Sequence, residues 1–383
     1  MEAAAESPGS SRGSLLLLGA ALCGVTHLAR SPYWRGWWQT LTSALSLCCN
    51  RGSFAANHTA EEFACADGEV AVVWWPSSAD GPDGTPAERR QTRRGRGHLW
   101  VLLPGGMCNA AAGYVDDAMG QGLFDGDSFC AFHNPGIESR MVKRPSPPGL
   151  TETRYLEEFI LASRERGFGT VSVVGFSAGS MLALAMAARG DALDQMRLGA
   201  QIAAGLAVGD RASPAASRVV SSAVAVNGPD KIRSVFEAHR NSWLRLDIYF
   251  SILLWSILRQ AGVQETVPQL HFPWLGGWEY MVWITEQCFG QPWAEMEAEL
   301  WACDAGMRTP LSTPVLRVLC RNDPIIPYEG VDEALFENLD RVIVEDEGGH
   351  CGVLRHHPYL AKEIREWELG VRHRPAAAAR NGR

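Results

Sequence analysis

The 383-residue chain predicts an α/β protein with a mostly parallel central sheet, helices on both faces and an inserted helical cap. Three observations carry that expectation. Short apolar, β-branched runs alternate with helix-length segments, the pattern of strands set side by side through helical crossovers. One run, Val171-Ser172-Val173-Val174, leads straight into Gly175-Phe176-Ser177-Ala178-Gly179 and then into the small-residue stretch Ser180 to Ala188. A Trp-rich segment, residues 231–309, then interrupts the alternation and holds seven of the 14 tryptophans.

The Gly175–Gly179 segment reads as a strand, a tight turn and a helix with a serine at the apex. Such a turn is strained, and glycines two residues either side of the serine let strand and helix pass without Cβ clashes. It lifts the Ser177 hydroxyl clear of the sheet. Gly9-Ser10-Ser11-Arg12-Gly13 fits the same five-residue pattern, but no strand precedes it and no helix-like run follows. Context singles out Ser177.

A nucleophilic serine needs a base, and the base needs an orienting carboxylate, each delivered at the C-terminal edge of one sheet. Pro314 to Cys320 reads as a buried strand, and Arg321-Asn322-Asp323-Pro324 is the turn leaving it, which places Asp323 where the acid is wanted. Arg341 to Val344 is the next strand-like run, followed by Glu345-Asp346-Glu347-Gly348-Gly349-His350, where glycines loosen the loop carrying His350. Asp346 and Glu347 are fallback acids, but they precede the histidine too closely to face its ring from a separate strand end. His356 and His357 are fallback bases, in what reads as the final helix.

The third requirement is a pair of backbone N–H groups for developing negative charge, from the turn after an earlier strand and from the residue after the nucleophile. His98 to Leu103 is that strand and Pro104-Gly105-Gly106-Met107 its turn. Gly105 and Gly106 allow close backbone approach. The candidate donors cluster at Gly106, Met107 and Ala178.

These residues resemble the α/β-hydrolase superfamily, and within it the family of bacterial YheT-type hydrolases and eukaryotic membrane-anchored abhydrolase-domain lipases. The resemblance runs from about Pro32 to Trp367. It includes Trp38-Gln39-Thr40, similar to the family's Gln-Thr opening segment, and Leu103-Pro104-Gly105-Gly106. It continues through Phe132-His133-Asn134-Pro135-Gly136, Tyr155-Leu156-Glu157-Glu158 and Asn227-Gly228-Pro229-Asp230. Ser180 stands where the family usually has a second glycine after the turn, Pro135 replaces an expected arginine, and an insertion spans Asp191 to Ser217. The resemblance implies the α/β-hydrolase fold and lipid-like ester substrates such as acylglycerols or phospholipids.

Composition narrows the partners. A net charge of −8 argues against nucleic acid, because phosphate binding needs a clustered basic face. The one basic cluster, Arg89, Arg90, Arg93, Arg94 and Arg96, falls in the Pro/Gly/Ser/Asp-rich loop Pro76 to Gly97 and reads as a solvated insertion. Ten cysteines show no Cys-x-x-Cys pair, so neither zinc nor a disulfide framework is expected. Cys48-Cys49 is the one adjacent pair, and Cys351, beside His350, reads as packing. No metal-ligand motif or phosphate loop appears, and acyl transfer through serine needs no cofactor. Small-molecule or lipid esters are the expected partners, and the oligomeric state is open.

Residues 1–31 read as an apolar anchor or targeting segment, residues 32–230 and 310–374 as the core, 231–309 as the cap and 375–383 as a flexible tail. Leu15 to Val25 is short of the roughly 20 residues that span a bilayer, and Glu2 and Glu6 count against a signal peptide. Tyr33, Trp34, Trp37 and Trp38 form an aromatic cluster of the interfacial kind. Membrane association is therefore expected, with organellar or secretory targeting as the alternative; Asn57-His58-Thr59 is a glycosylation sequon that matters only in a lumenal domain. Leu246 to Leu258 is helical in length and apolar nearly all round except for Asp247, so it is either cap core or a lid over an acyl cleft. In the lid reading Phe250 and Leu254 line the substrate cleft. The functional expectation is a serine hydrolase of carboxylic esters acting through an acyl-serine, with acyl transfer to an alcohol, or a catalytically silent binding protein on the same fold, as alternatives.

Overall fold

A computed structural model of the chain describes residue 39 and residues 57–77, 97–105, 113–139, 152–203, 218–230, 232–240, 246–267, 270, 276–288, 290–295, 297 and 311–374. The Arg89–Arg96 cluster, Cys48-Cys49 and residues 15–29 lie outside these residues.

The sheet is built on runs buried along their whole length. β3 (His98–Leu103), β5 (Thr170–Phe176), β6 (Ser222–Val226) and β7 (Val315–Cys320) are nearly continuous in buried residues, as strands covered on both faces must be. β4 (Ser128–His133) and β8 (Arg341–Glu345) extend this parallel set. β1 (His58–Ala64) and β2 (Val70–Pro76) pair antiparallel at one edge. Among the described residues the strand order is β1-β2-β4-β3-β5-β6-β7-β8, so the sheet is mostly parallel as expected. β1, β2 and β4 are additions to what the sequence picked out, and β6 starts at Ser222 rather than Val219.

Helices cover both faces. On one, α2 (Arg154–Glu165) presents Tyr155, Leu156, Phe159 and Ile160, and α3 (Ala178–Ala188) is buried almost throughout. On the other lie α1 (Gly113–Gly120) and α10 (Tyr359–His373), with Leu360, Ile364, Trp367 and Val371 at helical spacing toward the sheet. The expected insertion after α3 begins as a helix, α4 (Gly190–Ala203). His356 ends a separate short helix, α9 (Val353–His356), so neither it nor His357 belongs to the final helix.

Between β6 and β7 the chain forms α5 (Ile232–Arg240), α6 (Leu246–Gln260), α7 (Val263–Thr266) and α8 (Gly277–Trp283). Leu258, Ala261, Val263, Val267, Leu270, Tyr280 and Ile284 make a separate hydrophobic cluster there, with Leu254 and Trp255 packed against it. Among the described residues no helix is long and apolar enough to cross a membrane.

One buried polar group sits at the N-terminal edge of the parallel strands. Arg372 of α10 lies between Asp127 and Glu368, at 2.6 and 2.5 Å, beside His98 at the start of β3. Ligand atoms of His98, Asp127 and Glu368 lie within 4.8 Å of one another. The guanidinium already supplies the positive charge that the two carboxylates require.

Candidate active site

The local sequence forces Ser177 into an unusual backbone. Its φ of 53° and ψ of −122° lie outside the regions that L-residues favour. A Cβ added at Gly175 would stand 2.1 Å from the Gly179 carbonyl oxygen, and one at Gly179 would stand 2.2 Å from that of Leu103. Both glycines are therefore required for β5, α3 and the end of β3 to meet. The Ser177 N–H donates to the Val226 carbonyl at 2.9 Å, which fastens the turn to the end of β6.

Asp323 and His350 arrive from the ends of the next two strands. One Asp323 oxygen accepts from the N–H groups of Ile325 and Ile326 at 2.8 and 2.9 Å. The other lies 2.8 Å from His350 Nδ1, and His350 Nε2 lies 2.8 Å from Ser177 Oγ. The Asp323 side chain is 2% exposed and that of His350 14%, so the carboxylate is dry while the ring still meets the outside. Burial alone would lower the imidazole pKa, but the Asp323 carboxylate, helped by Cys351, outweighs it and holds His350 well above the ordinary histidine range. With Nδ1–H directed at the carboxylate, Nε2 is left to take the serine proton.

The structure thus brings together the three residues expected from sequence and separates them from the fallbacks. Asp346 is 89% exposed and pairs with Arg321. His357 Nε2 contacts the Glu347 carbonyl at 2.9 Å. Cys351 is buried, and its φ of 58° shapes the loop after His350.

Of the expected oxyanion donors, Ala178 opens α3 directly after Ser177, where a helix leaves N–H groups without intrahelical partners. Gly106 and Met107 lie outside the described residues. Gly105 is described: a Cβ there would meet Ser177 Cβ at 3.1 Å, so the turn after β3 runs against the nucleophile turn. Its N–H donates to Tyr114 Oη at 2.7 Å, and the Tyr114 ring stacks on Phe176 with centroids 4.7 Å apart. Leu254 is half-buried against the cluster between β6 and β7; the side chain of Phe250 lies outside the described residues.

Several supporting residues were not assigned roles from sequence. Arg317, in the middle of β7, is 1% exposed and pairs with the fully buried Asp230 at 2.5 Å, while its Nη2 donates to the Gly228 carbonyl. Ser180 Oγ donates to the Ser177 carbonyl at 2.6 Å and leaves Gly228 no room for a side chain. A charged residue inside Val-Leu-Arg-Val-Leu-Cys was the available signal, since a buried charge demands a buried partner.

A mostly parallel sheet with a strained serine turn after β5, an aspartate after β7 and a histidine after β8 is the arrangement of an α/β hydrolase. The chain belongs to the Alpha/beta hydrolase family, whose model matches residues 100–362. Its sequence matches no curated protein. Solved structures similar to it include the Pyrococcus furiosus esterase Pf2001, at 13% identity over 82% of this chain and 92% of that one, with a TM-score of 0.47. Another is a membrane phospholipase A described as a bacterial virulence factor, at 14% identity over 94% and 98% with a TM-score of 0.45. A third is the haloalkane dehalogenase DbeA of Bradyrhizobium elkani, at 16% over 82% and 98% with a TM-score of 0.46.

Proposed function

We propose that this α/β hydrolase cleaves carboxylic esters through an acyl-serine. Ser177 Oγ attacks the ester carbonyl as His350 Nε2 takes its proton. Asp323 fixes the imidazole tautomer and stabilises the imidazolium. The backbone N–H groups of Ala178 and, as the sequence leads one to expect, of Gly106 and Met107 meet the oxyanion. His350 returns the proton to the leaving alcohol, and water repeats the sequence to release the acid. The observation that carries the reading is the unbroken Ser177–His350–Asp323 chain, 2.8 Å at each step, on a strained turn.

The substrate class we infer is lipid-like, acylglycerol or phospholipid. Its support is the kinship we propose with YheT-type hydrolases and membrane-anchored abhydrolase lipases, resting on the segments at Gln39, Leu103–Gly106, Asn134 and Asn227. Residues 15–29 are proposed to bring the enzyme to its membrane, and residues 231–309 to act as the cap over the acyl chain.

Fluorophosphonate labelling tests the chemistry. The wild-type chain should label at Ser177, Ser177→Ala should not, and Ser177→Ala or His350→Ala should each lower kcat on the order of 10⁴-fold or more. On p-nitrophenyl esters kcat/KM should climb with acyl length, by about 0.8 kcal/mol per methylene buried. Labelling that persists in Ser177→Ala refutes the nucleophile, and a flat chain-length profile refutes the lipid substrate.

A further inference from the structure

Gln39 stands far ahead of β1 in the chain, yet its side chain is buried in the site. Its Oε1 accepts from Asn322 Nδ2 and from the Gly348 N–H, both at 3.0 Å. Asn322, next to Asp323, uses its Oδ1 to accept from the Gly349 N–H at 2.9 Å. From the third side, Asn227 at the end of β6 donates through Nδ2 to the Gly349 carbonyl at 2.9 Å. All three amide side chains are buried. Backbone N–H groups only donate and carbonyls only accept, so the amide orientations are fixed: the Gln39 and Asn322 oxygens each face a glycine N–H, the Asn322 nitrogen faces Gln39, and the Asn227 nitrogen faces the Gly349 carbonyl.

The held segment immediately precedes His350, and it could not hold itself. Gly348 and Gly349 have φ values of 138° and 61°, a conformation that glycine adopts freely and that supplies no side chain to pack. A Cβ on Gly348 would also stand 2.6 Å from Cys320 Sγ. The position of the imidazole therefore depends on external hydrogen bonds, and they come from the acid turn, the end of β6 and Gln39.

We propose that Gln39 is a positioning residue for His350: it locks the Asn322 turn to the Gly348–Gly349 backbone, so that acid and base move as one unit. This rests on the hydrolase reading and goes beyond it. Gln39 acts through Asn322 and the Gly348 N–H. Its effect falls on kcat and on the titration of His350, which Asp323, Ser177 and Cys351 face directly.

Two full-length variants test it. Gln39→Met keeps the length and removes the acceptor; Gln39→Glu keeps an acceptor and adds a negative charge that favours the imidazolium. Gln39→Met should lower kcat and the fluorophosphonate labelling rate about 10–100-fold, as a misplacement approaching 1 Å does, with KM within about twofold. Gln39→Glu should recover most of that rate at alkaline pH, with the acid limb of its pH profile moved upward. Wild-type turnover in Gln39→Met overturns the proposal. Should that variant fail to fold, an unmoved acid limb in Gln39→Glu overturns it instead. A wild-type chain that takes no probe and cleaves no ester sinks the hydrolase reading alone. The clasp is then decided by NMR titration of the His350 ring protons, which Gln39→Glu must still shift to higher pH.

Discussion

Gly179→Ala places one methyl group where β3, the nucleophile turn and the start of α3 converge. The new Cβ would lie 2.2 Å from the Leu103 carbonyl oxygen, 2.5 Å from that of Pro104 and 2.8 Å from the Leu103 carbonyl carbon. Carbon–oxygen contacts settle no closer than about 3.3 Å, so strand end and helix must separate by roughly 1 Å. Every obstructing atom is backbone, and no side chain can swing aside. Overpacking of this kind costs about 1–3 kcal/mol and here belongs at the upper end, while alanine returns up to about 1 kcal/mol in helix propensity. The net expectation is a loss of about 2 kcal/mol, read as a lower urea midpoint with an unchanged slope. The same displacement parts Ser177 from the Gly105 turn, so kcat/KM should fall about 10²-fold in the fraction that remains folded. Gly370→Ala in α10 is the control: its Cβ meets nothing within 4 Å, and it should stabilise by about 0.5–1 kcal/mol with full activity. Wild-type stability and activity in Gly179→Ala would refute the close-approach reasoning.

Asp323→Asn removes the charge that raises the His350 pKa and leaves the burial that lowers it. The acid limb of kcat/KM should therefore move to lower pH even as kcat falls about 10⁴-fold from tautomer loss; an unmoved or rising limb would show that another group sets it. If residues 15–29 are the anchor proposed above, deleting residues 1–29 should move the protein from the membrane pellet to the soluble fraction, and because Gln39 is retained its activity on a soluble short ester should persist. Fractionation of the shortened chain checks this, and pelleting that survives would move the membrane contact elsewhere.

What could be read ahead of the structure was whatever is local in sequence. The Ser177 turn declares itself because its glycines lie two residues either side, and Asp323 and His350 because each follows an apolar run in the right order. Gln39, Asn322 and Asn227 were hidden for the opposite reason: an amide has no periodicity, and its meaning depends on which backbone group faces it. β1 was obscured because Glu61 and Glu62 interrupt its alternation, which an edge strand tolerates on its solvated face. For α6, uniform apolarity left packing and lid equally open. Leu254 and Trp255 turn out to rest on Leu258, Tyr280 and their neighbours, which gives that face of the helix a packing role.

The wide separation of the three site residues along the chain also bears on how the enzyme is made. Ser177 is synthesised before the whole segment between β6 and β7, whereas His350 follows β8 and α10 comes later still. Domains generally fold as units, and a nascent or truncated molecule that stops short of residue 350 holds Ser177 but not His350. On the proposed reading, the serine lacks its base through nearly all of translation. Under the mechanism proposed above, a fragment that ends before residue 350 has no base for Ser177, and turnover becomes a report on chains that extend past it.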